Sequence, residues 1–221
     1  MLFRSLRNAN RYLAKDPMPG DVKSVFAGMR PLVHPGGAGG PTKSISRNHE
    51  VFVSGSGVVT IVGGKWTTYR KMAEDTMKHV IGVGQLEEKP CITEDLRVHG
   101  AMDRDDPGLP IEDPLRMYGS DAAAITALSD ADAELAEGLH DDLPYTGAEI
   151  LWAAREEMAI SVEDALARRT RCLLLDAEAS IAAAPRAAAI MAKELGHDES
   201  WCTREVEAYT ELARGYCLDP S

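Results

Sequence analysis

Residues 57–81 read GVVTIVGGKWTTYRKMAEDTMKHVI, and this stretch decides the fold: an apolar strand, a glycine pair, a lysine and a helix. Val58, Val59, Ile61 and Val62 form a β-branched run of the kind that suits a buried strand. Gly63 and Gly64 end it. Beyond Lys65, the residues Tyr69, Met72, Ala73, Thr76, Met77, Val80 and Ile81 recur at the spacing of one helical face. Arg70, Lys71, Glu74, Asp75 and Lys78 fall elsewhere. Thr67 or Thr68 is placed to cap this helix, and Gly82 and Gly84 are placed to stop it.

A glycine pair between a strand end and a helix start leaves backbone amides uncovered and lets a ligand approach the main chain. Those amides and the helix dipole favour an anion, and Lys65 adds a full positive charge. On this geometry alone an ordinary tight turn with a solvated lysine is the commoner outcome. No G-x-G-x-x-G or G-x-x-x-x-G-K-[ST] pattern occurs, so the turn is not a nucleotide fingerprint.

Upstream, residues 54–57 read as a turn joining a strand over 44–53 to the central strand, which makes a hairpin. Residues 34–41 (HPGGAGGP) are loop-forming by composition. Residues 24–33 are a strand candidate interrupted by Gly28 and closed by Pro31. Arg30 within it must be paired or face a cavity, and by itself a salt bridge is the simpler account. Residues 3–13 read as a helix that Pro17 and Pro19 end. His49 reads as a hydrogen-bonded structural histidine.

The chain has 221 residues, 44% hydrophobic, with a net charge of −11. That is enough for one good core or two small ones. Charge is uneven: residues 1–84 hold 12 Lys and Arg against 5 Asp and Glu, whereas residues 85–221 hold 12 against 30. The asymmetry predicts two domains, 1–84 and 114–221, joined by a linker over 85–113, with the basic one suited to anions. No basic-and-aromatic cluster supports nucleic acid as that anion. The four cysteines show no C-x-x-C spacing and no signal peptide precedes them, so free thiols in a reducing compartment are expected. The six histidines are scattered, no Ca²⁺-loop pattern occurs, and no metal site is expected. No run of 18 apolar residues marks a membrane span.

From residue 85 onward helical patterns dominate, over 113–128, 131–138, 147–158, 161–169, 173–195 and 200–216, and predict an all-α domain. Ser161 with Glu163 and Asp164 is a good helix start. Pro185 predicts a kink or break in the fifth helix. Arg168, Arg169 and Arg171 read as a salt-bridged face, and Trp152 and Trp201 as core.

Four ordered blocks carry a family resemblance: SVFAGMRPLV (24–33), KSISRNHEV (43–51), GGKWTTYRKMAEDT (63–76) and ALARRTRC (165–172). Together they resemble the C-terminal portion of FAD-dependent glycerol-3-phosphate dehydrogenases of the aerobic, mitochondrial type. The implied fold class is α+β: part of an FAD- and substrate-binding domain, with a cofactor-facing helix, then an all-α domain. The family's dinucleotide-binding half has no counterpart here, so the resemblance implies a fragment, or a polypeptide that pairs with one, inactive without that half.

The implied chemistry is hydride transfer from C2 of sn-glycerol 3-phosphate to FAD, giving dihydroxyacetone phosphate, with electrons passing to a quinone. By resemblance Arg30 falls on the family's substrate-binding arginine, with a catalytic role, and Arg47 is a second phosphate contact. A guanidinium fork matches phosphate oxygens bidentately. Gly63, Gly64, Lys65, Trp66, Thr67 and Thr68 would face the flavin, with Lys65 also near the reacting hydroxyl. The general base stays open, since family candidates include a histidine from the absent half. The resemblance further implies peripheral association with the inner, cytoplasmic face of the cell membrane and admits a homodimer. Two other readings are an oxidase that uses oxygen and a non-catalytic helical module for assembly or membrane docking.

Overall fold

The computed structural model describes residues 2–29, 48–103 and 105–218. Two compact units emerge: residues 28–98, and residues 2–27 together with 99–218. This division is not the one that charge predicts. The N-terminal 27 residues join the helical unit, and the expected linker is divided between the two.

In the smaller unit, β1 (His49–Val53) and β2 (Val59–Gly63) form an antiparallel hairpin with His49 opposite Gly63 and Val53 opposite Val59. Ser54 closes it, its hydroxyl accepting from the Val58 amide at 3.1 Å. The turn glycine Gly57 has φ 85°, a conformation open to glycine at little cost. The hairpin expectation therefore holds, with β1 described from His49 onward; residues 44–47 lie outside the described residues.

Helix α2 (Tyr69–Gly84) packs on both strands. It runs through Gly82 and Gly84, and the stop falls at Gln85, a non-glycine residue at φ 49° whose amide bonds back to Gly82. The half-buried residues are Arg70, Met72, Glu74, Asp75, Thr76, Val80 and Ile81, whereas Tyr69, Ala73 and Met77 are exposed. The face expected from spacing is thus rotated toward Glu74 and Asp75, and the Asp75 carboxylate is hydrogen-bonded to His49 on β1. No described residue between 48 and 98 is fully buried. A hairpin and one helix offer too little apolar area for a closed core.

The larger unit is helical. Helix α1 (Leu2–Ala9) leads into an extended segment. There the Val25 amide donates to the Tyr216 carbonyl at 2.9 Å, the Lys23 carbonyl accepts from Ala177 at 3.1 Å, and Lys23 pairs with Asp176 at 2.9 Å. The strand predicted over 24–33 is therefore corrected for 24–29. These residues form no strand: Val25 bonds to Tyr216 and the preceding Lys23 to Ala177, far along the chain, instead of to a sheet.

A 3₁₀ segment (Pro114–Asp121), started by Asp113 accepting from Leu115 at 2.8 Å, leads into α3 (Ala122–Ala131) and α4 (Ala133–Ala136). Helix α5 (Gly147–Glu156) opens with Glu149 accepting from the Thr146 amide at 2.8 Å. Glu149 is almost fully buried, and burial pushes its carboxyl above the usual carboxylate range.

Next comes a π-helical turn (Asp164–Arg169) in place of the expected α-helix. Its start is as read: the Ser161 hydroxyl donates to Asp164 at 2.9 Å, and the Asp164 amide returns a bond to Ser161. Its wide end follows from the Ala165 carbonyl accepting both the Thr170 amide at 3.0 Å and the Thr170 hydroxyl at 2.8 Å. The helix expected over 173–195 is two, α6 (Cys172–Leu175) and α7 (Ala177–Leu195). The break sits at Asp176, which caps α7 by accepting from Ala179 at 3.0 Å, and α7 continues past Pro185.

Helix α8 (Glu199–Arg214) packs along α7. Ala183, Ala184, Ala187 and Ala188 on α7 are fully buried, small enough to let neighbouring helices approach. Around them Ile150, Leu166, Leu173, Met191 and Tyr209 form the main core, and Trp201 packs on its edge. Tyr209 meets the Ser180 hydroxyl inside it. Trp152 belongs to a second cluster with Tyr118, Ala122, Ile125 and Ala148. The arginine run is structural at two of three positions. Arg168 pairs with Glu163 and Asp164, and Arg169 donates to the Glu157 carbonyl at 2.8 Å.

Candidate functional site

The turn between β2 and α2 is built by two consecutive left-handed glycines, Gly63 at φ 80° and Gly64 at φ 81°. Such a pair turns the chain sharply out of the strand, and a side chain would be strained at either position. At Gly64 space is also closed. A Cβ there would come within 2.4 Å of the Met72 sulfur, 2.7 Å of its methyl carbon and 3.3 Å of His49 Cβ. Helix α2 and strand β1 therefore both press on the back of the turn.

A short 3₁₀ segment, Trp66–Thr68, follows and runs directly into α2. Thr68 locks it: its hydroxyl donates to the Lys65 carbonyl at 3.0 Å and accepts from the Lys65 amide at 3.4 Å. Thr68 is the helix N-cap by position, while its side chain serves the preceding turn. Among the described residues, no acceptor meets the amides of Gly64, Trp66 or Thr67. Three donors just before α2 are therefore open among the described residues.

Lys65, Trp66 and Thr67 are exposed and, with Gly64, line an open hollow of about 400 Å³. Trp66, 85% exposed, stacks on Tyr69 with ring centroids 5.6 Å apart. The cations of α2 are already engaged. Arg70, Lys71 and Lys78 all contact Glu74, at 3.1–3.2 Å. Lys78, then Lys71 and Arg70, hold the Glu74 carboxyl down at about 2. Lys65 differs from them, since among the described residues its ammonium meets no carboxylate. A free ammonium beside open amides at a helix end is the arrangement that stabilises developing negative charge.

Gly63, Gly64, Lys65, Trp66, Thr67 and Thr68, named from the sequence, are thus brought into one turn. Arg30 and Arg47 lie outside the described residues. What spacing alone did not reveal is the tie behind the turn: His49 Nε2 lies 3.1 Å from Asp75 Oδ2. Lys71 holds that carboxyl below its ordinary range, with His49 adding to the effect against a partial burial penalty. No group of three or more His, Cys, Asp or Glu placed to hold a metal occurs among the described residues.

Comparison with known proteins gives a consistent picture. Residues 58–202 match the family described as the C-terminal domain of alpha-glycerophosphate oxidase. The protein named "Probable glycerol-3-phosphate dehydrogenase, mitochondrial" from Caenorhabditis elegans is 34% identical over 230 residues, covering 96% of this chain and 31% of that protein. "Glycerol-3-phosphate dehydrogenase 1" of Mycobacterium tuberculosis (strain ATCC 25618 / H37Rv) is 41% identical over 159 residues, covering 68% of this chain and 30% of that protein. The chain therefore spans about a third of the length of the curated relatives it matches. Among solved structures, the glycerol-3-phosphate dehydrogenase from Bacillus halodurans complexed with FAD superposes with a TM-score of 0.69 at 25% identity, covering 99% of this chain and 45% of that one. The matched region takes in β2, the glycine turn, α2 and the helices through α7 to the start of α8, so the chain belongs to the alpha-glycerophosphate oxidase C-terminal-domain family.

Proposed function

We propose that this chain forms the substrate-side turn and helical domain of an FAD-dependent enzyme oxidising sn-glycerol 3-phosphate to dihydroxyacetone phosphate. The observation that carries the reading is the Gly63–Thr68 turn, with its left-handed glycine pair and with amides and an ammonium that meet no partner among the described residues. It fits the edge of a flavin, which needs close backbone approach and positive potential. FAD supplies the acceptor for the hydride that leaves C2 of the substrate. The amides of Gly64, Trp66 and Thr67 would hold its pyrimidine edge, with Gly63 and Thr68 fixing their direction. Lys65 would place its charge beside that edge and near the substrate hydroxyl.

The guanidinium forks of Arg30 and Arg47 would anchor the substrate phosphate. The adenosine side of FAD is assigned to polypeptide outside this sequence. Two observations support this: no dinucleotide fingerprint is present, and no described residue of the hairpin–helix unit is buried. Quinone is taken as the electron acceptor, as the resemblance to the aerobic, mitochondrial-type enzymes implies. Quinones partition into the bilayer, so this reading carries peripheral association with the inner face of the cell membrane. Among the described residues no helix is long and apolar enough to cross one. The family description names an oxidase, which keeps oxygen as a second acceptor reading.

Substitutions in an assembled enzyme containing the FAD-binding half test the assignments. Arg30→Ala is expected to raise KM for glycerol 3-phosphate by about tenfold or more, the loss of a charge-assisted bidentate contact, with a smaller effect on kcat. Lys65→Ala is expected to lower kcat by about 100-fold, the scale of losing one charge-stabilising group. An unchanged KM in the first variant removes Arg30 from the phosphate site, and an unchanged kcat in the second removes Lys65 from the chemistry.

A further inference from the structure

The back of the glycine turn is held by contacts that the proposed chemistry does not use. His49 stands opposite Gly63 in the strand register, so it is fixed by the hairpin. Its ring reaches across to α2, where Nε2 lies 3.1 Å from Asp75 Oδ2, with both side chains largely shielded from water. Asp75 is held in turn by Lys71 at 2.9 Å and, more loosely, by Lys78 at 3.8 Å, and its carbonyl bonds His79 Nδ1 at 2.8 Å. Met72, one turn earlier on α2, fills the space that a side chain at Gly64 would need, and His49 Cβ flanks the same point. Strand end, helix and the His49–Asp75 hydrogen bond thus meet behind Gly64. On its other side lie Lys65, Trp66 and Thr67, which line the hollow.

We infer that His49 and Asp75 are positioning residues: their hydrogen bond sets the angle at which the start of α2, and hence the amides and ammonium of the Gly63–Thr68 turn, meets the flavin. The inference rests on the proposed flavin-facing role of that turn. Beside the turn the bond adds a directional tie to contacts otherwise made by a glycine and a flexible methionine, neither of which fixes an angle. Without it the first turns of α2 are held by apolar packing alone, which leaves room to shift about Gly63–Gly64. A displacement on the order of 1 Å in a positioning element is enough to cost about 100-fold in rate. Neither residue touches the hollow itself.

The test uses the assembled FAD-containing enzyme in four forms: parent, His49→Gln, Asp75→Asn and His49→Phe. The first two substitutions keep a hydrogen-bonding partner at each end, whereas phenylalanine fills the ring volume without one. His49→Phe is expected to weaken FAD retention about tenfold and shift the flavin absorbance spectrum. It should lower kcat by about ten- to 100-fold, with KM for glycerol 3-phosphate within about twofold of the parent. His49→Gln and Asp75→Asn are expected to stay within about threefold of the parent in every parameter. A purely structural tie predicts instead a lower melting temperature with an unchanged spectrum and kcat in the enzyme that remains folded, and that result overturns the inference. If His49→Phe fails to fold, a cycle of variants that remove the bond decides: His49→Ala, Asp75→Ala and the double variant must act non-additively on FAD retention, and strict additivity overturns the inference. Lys65→Ala serves as the reference. If it alters flavin and kcat while the His49 and Asp75 variants do not, only the positioning role falls; if it alters neither, the flavin-facing turn falls and takes the inference with it.

Discussion

Gly119→Ala is expected to lower the melting temperature by about 10 °C or more, the loss of stability being about 4 kcal/mol. Gly119 sits at φ 57° and ψ −124°, in the middle of the 3₁₀ segment, a region of backbone space that residues with a Cβ avoid. A Cβ there would lie 2.0 Å from the Gly100 carbonyl oxygen and 3.1 Å from its carbon. The obstruction is backbone, so no rotamer change relieves it. The neighbouring Ser120 amide donates to that same carbonyl at 3.2 Å, and His99 pairs with Asp121 at 2.5 Å. Moving the two segments apart would therefore break both contacts as well. Gly20 provides the control: nothing lies within 4 Å of a Cβ built there, and Gly20→Ala is expected to change stability by less than about 0.5 kcal/mol. Thermal unfolding of the two variants, compared with the parent, checks the pair.

Gly64→Ala is expected to cost about 2 kcal/mol and, in the assembled enzyme, to weaken FAD retention by tenfold or more. At φ 81° an alanine pays the left-handed penalty, of order 1–2 kcal/mol. The Met72 thioether, 2.4 Å from the new Cβ, is flexible and can swing away, but His49 Cβ at 3.3 Å is part of the strand and yields less. The chain relieves the crowding by opening the turn, which moves the Lys65 ammonium and the free amides together. Stability and flavin affinity thus fall from one cause. Gly82→Ala on the same helix separates local strain from a general intolerance of change: nothing lies within 4 Å of that Cβ, and helix propensity predicts a gain of about 0.5–1 kcal/mol. FAD titration with parallel thermal melts distinguishes the two variants.

The parts of the fold legible in the sequence are those whose signals are local. β-Branched residues around Ile61 and the 3.6-residue recurrence through Met72, Thr76 and Val80 announce strand and helix, and the glycine pair between them announces the turn. Ser161 with Asp164 announces a helix start, because the hydrogen bond spans three residues. Features fixed by distant partners were not legible. Residues 24–29 have strand-like composition, yet Val25 bonds to Tyr216, and no local pattern encodes that choice. Asp176 breaks a continuous apolar periodicity because its carboxylate both caps α7 and meets Lys23, whereas the louder signal, Pro185, is accommodated within the helix.

The same rule holds at the candidate site. Gly63, Gly64, Lys65 and Thr68 are adjacent in sequence and could be grouped by eye. His49 and Asp75 are 26 residues apart, and only the hairpin and the return of α2 bring them together. The half-buried side of α2 includes Asp75, as the tie to His49 requires. A carboxylate one position from an apolar helical stripe is the sequence signal that could have pointed to such a partner.

A Gly63–Thr68 turn that faces a flavin reduced by a phosphorylated triol must govern the rate of that reduction. The most direct measurement is an anaerobic titration of the assembled, FAD-loaded enzyme with sn-glycerol 3-phosphate, followed by flavin absorbance, for the parent and for Lys65→Ala. Stoichiometric bleaching of the oxidised flavin band is expected in the parent, and bleaching slowed by about 100-fold in the variant. A flavin that stays oxidised in the parent, or one that bleaches equally fast in both, would contradict it.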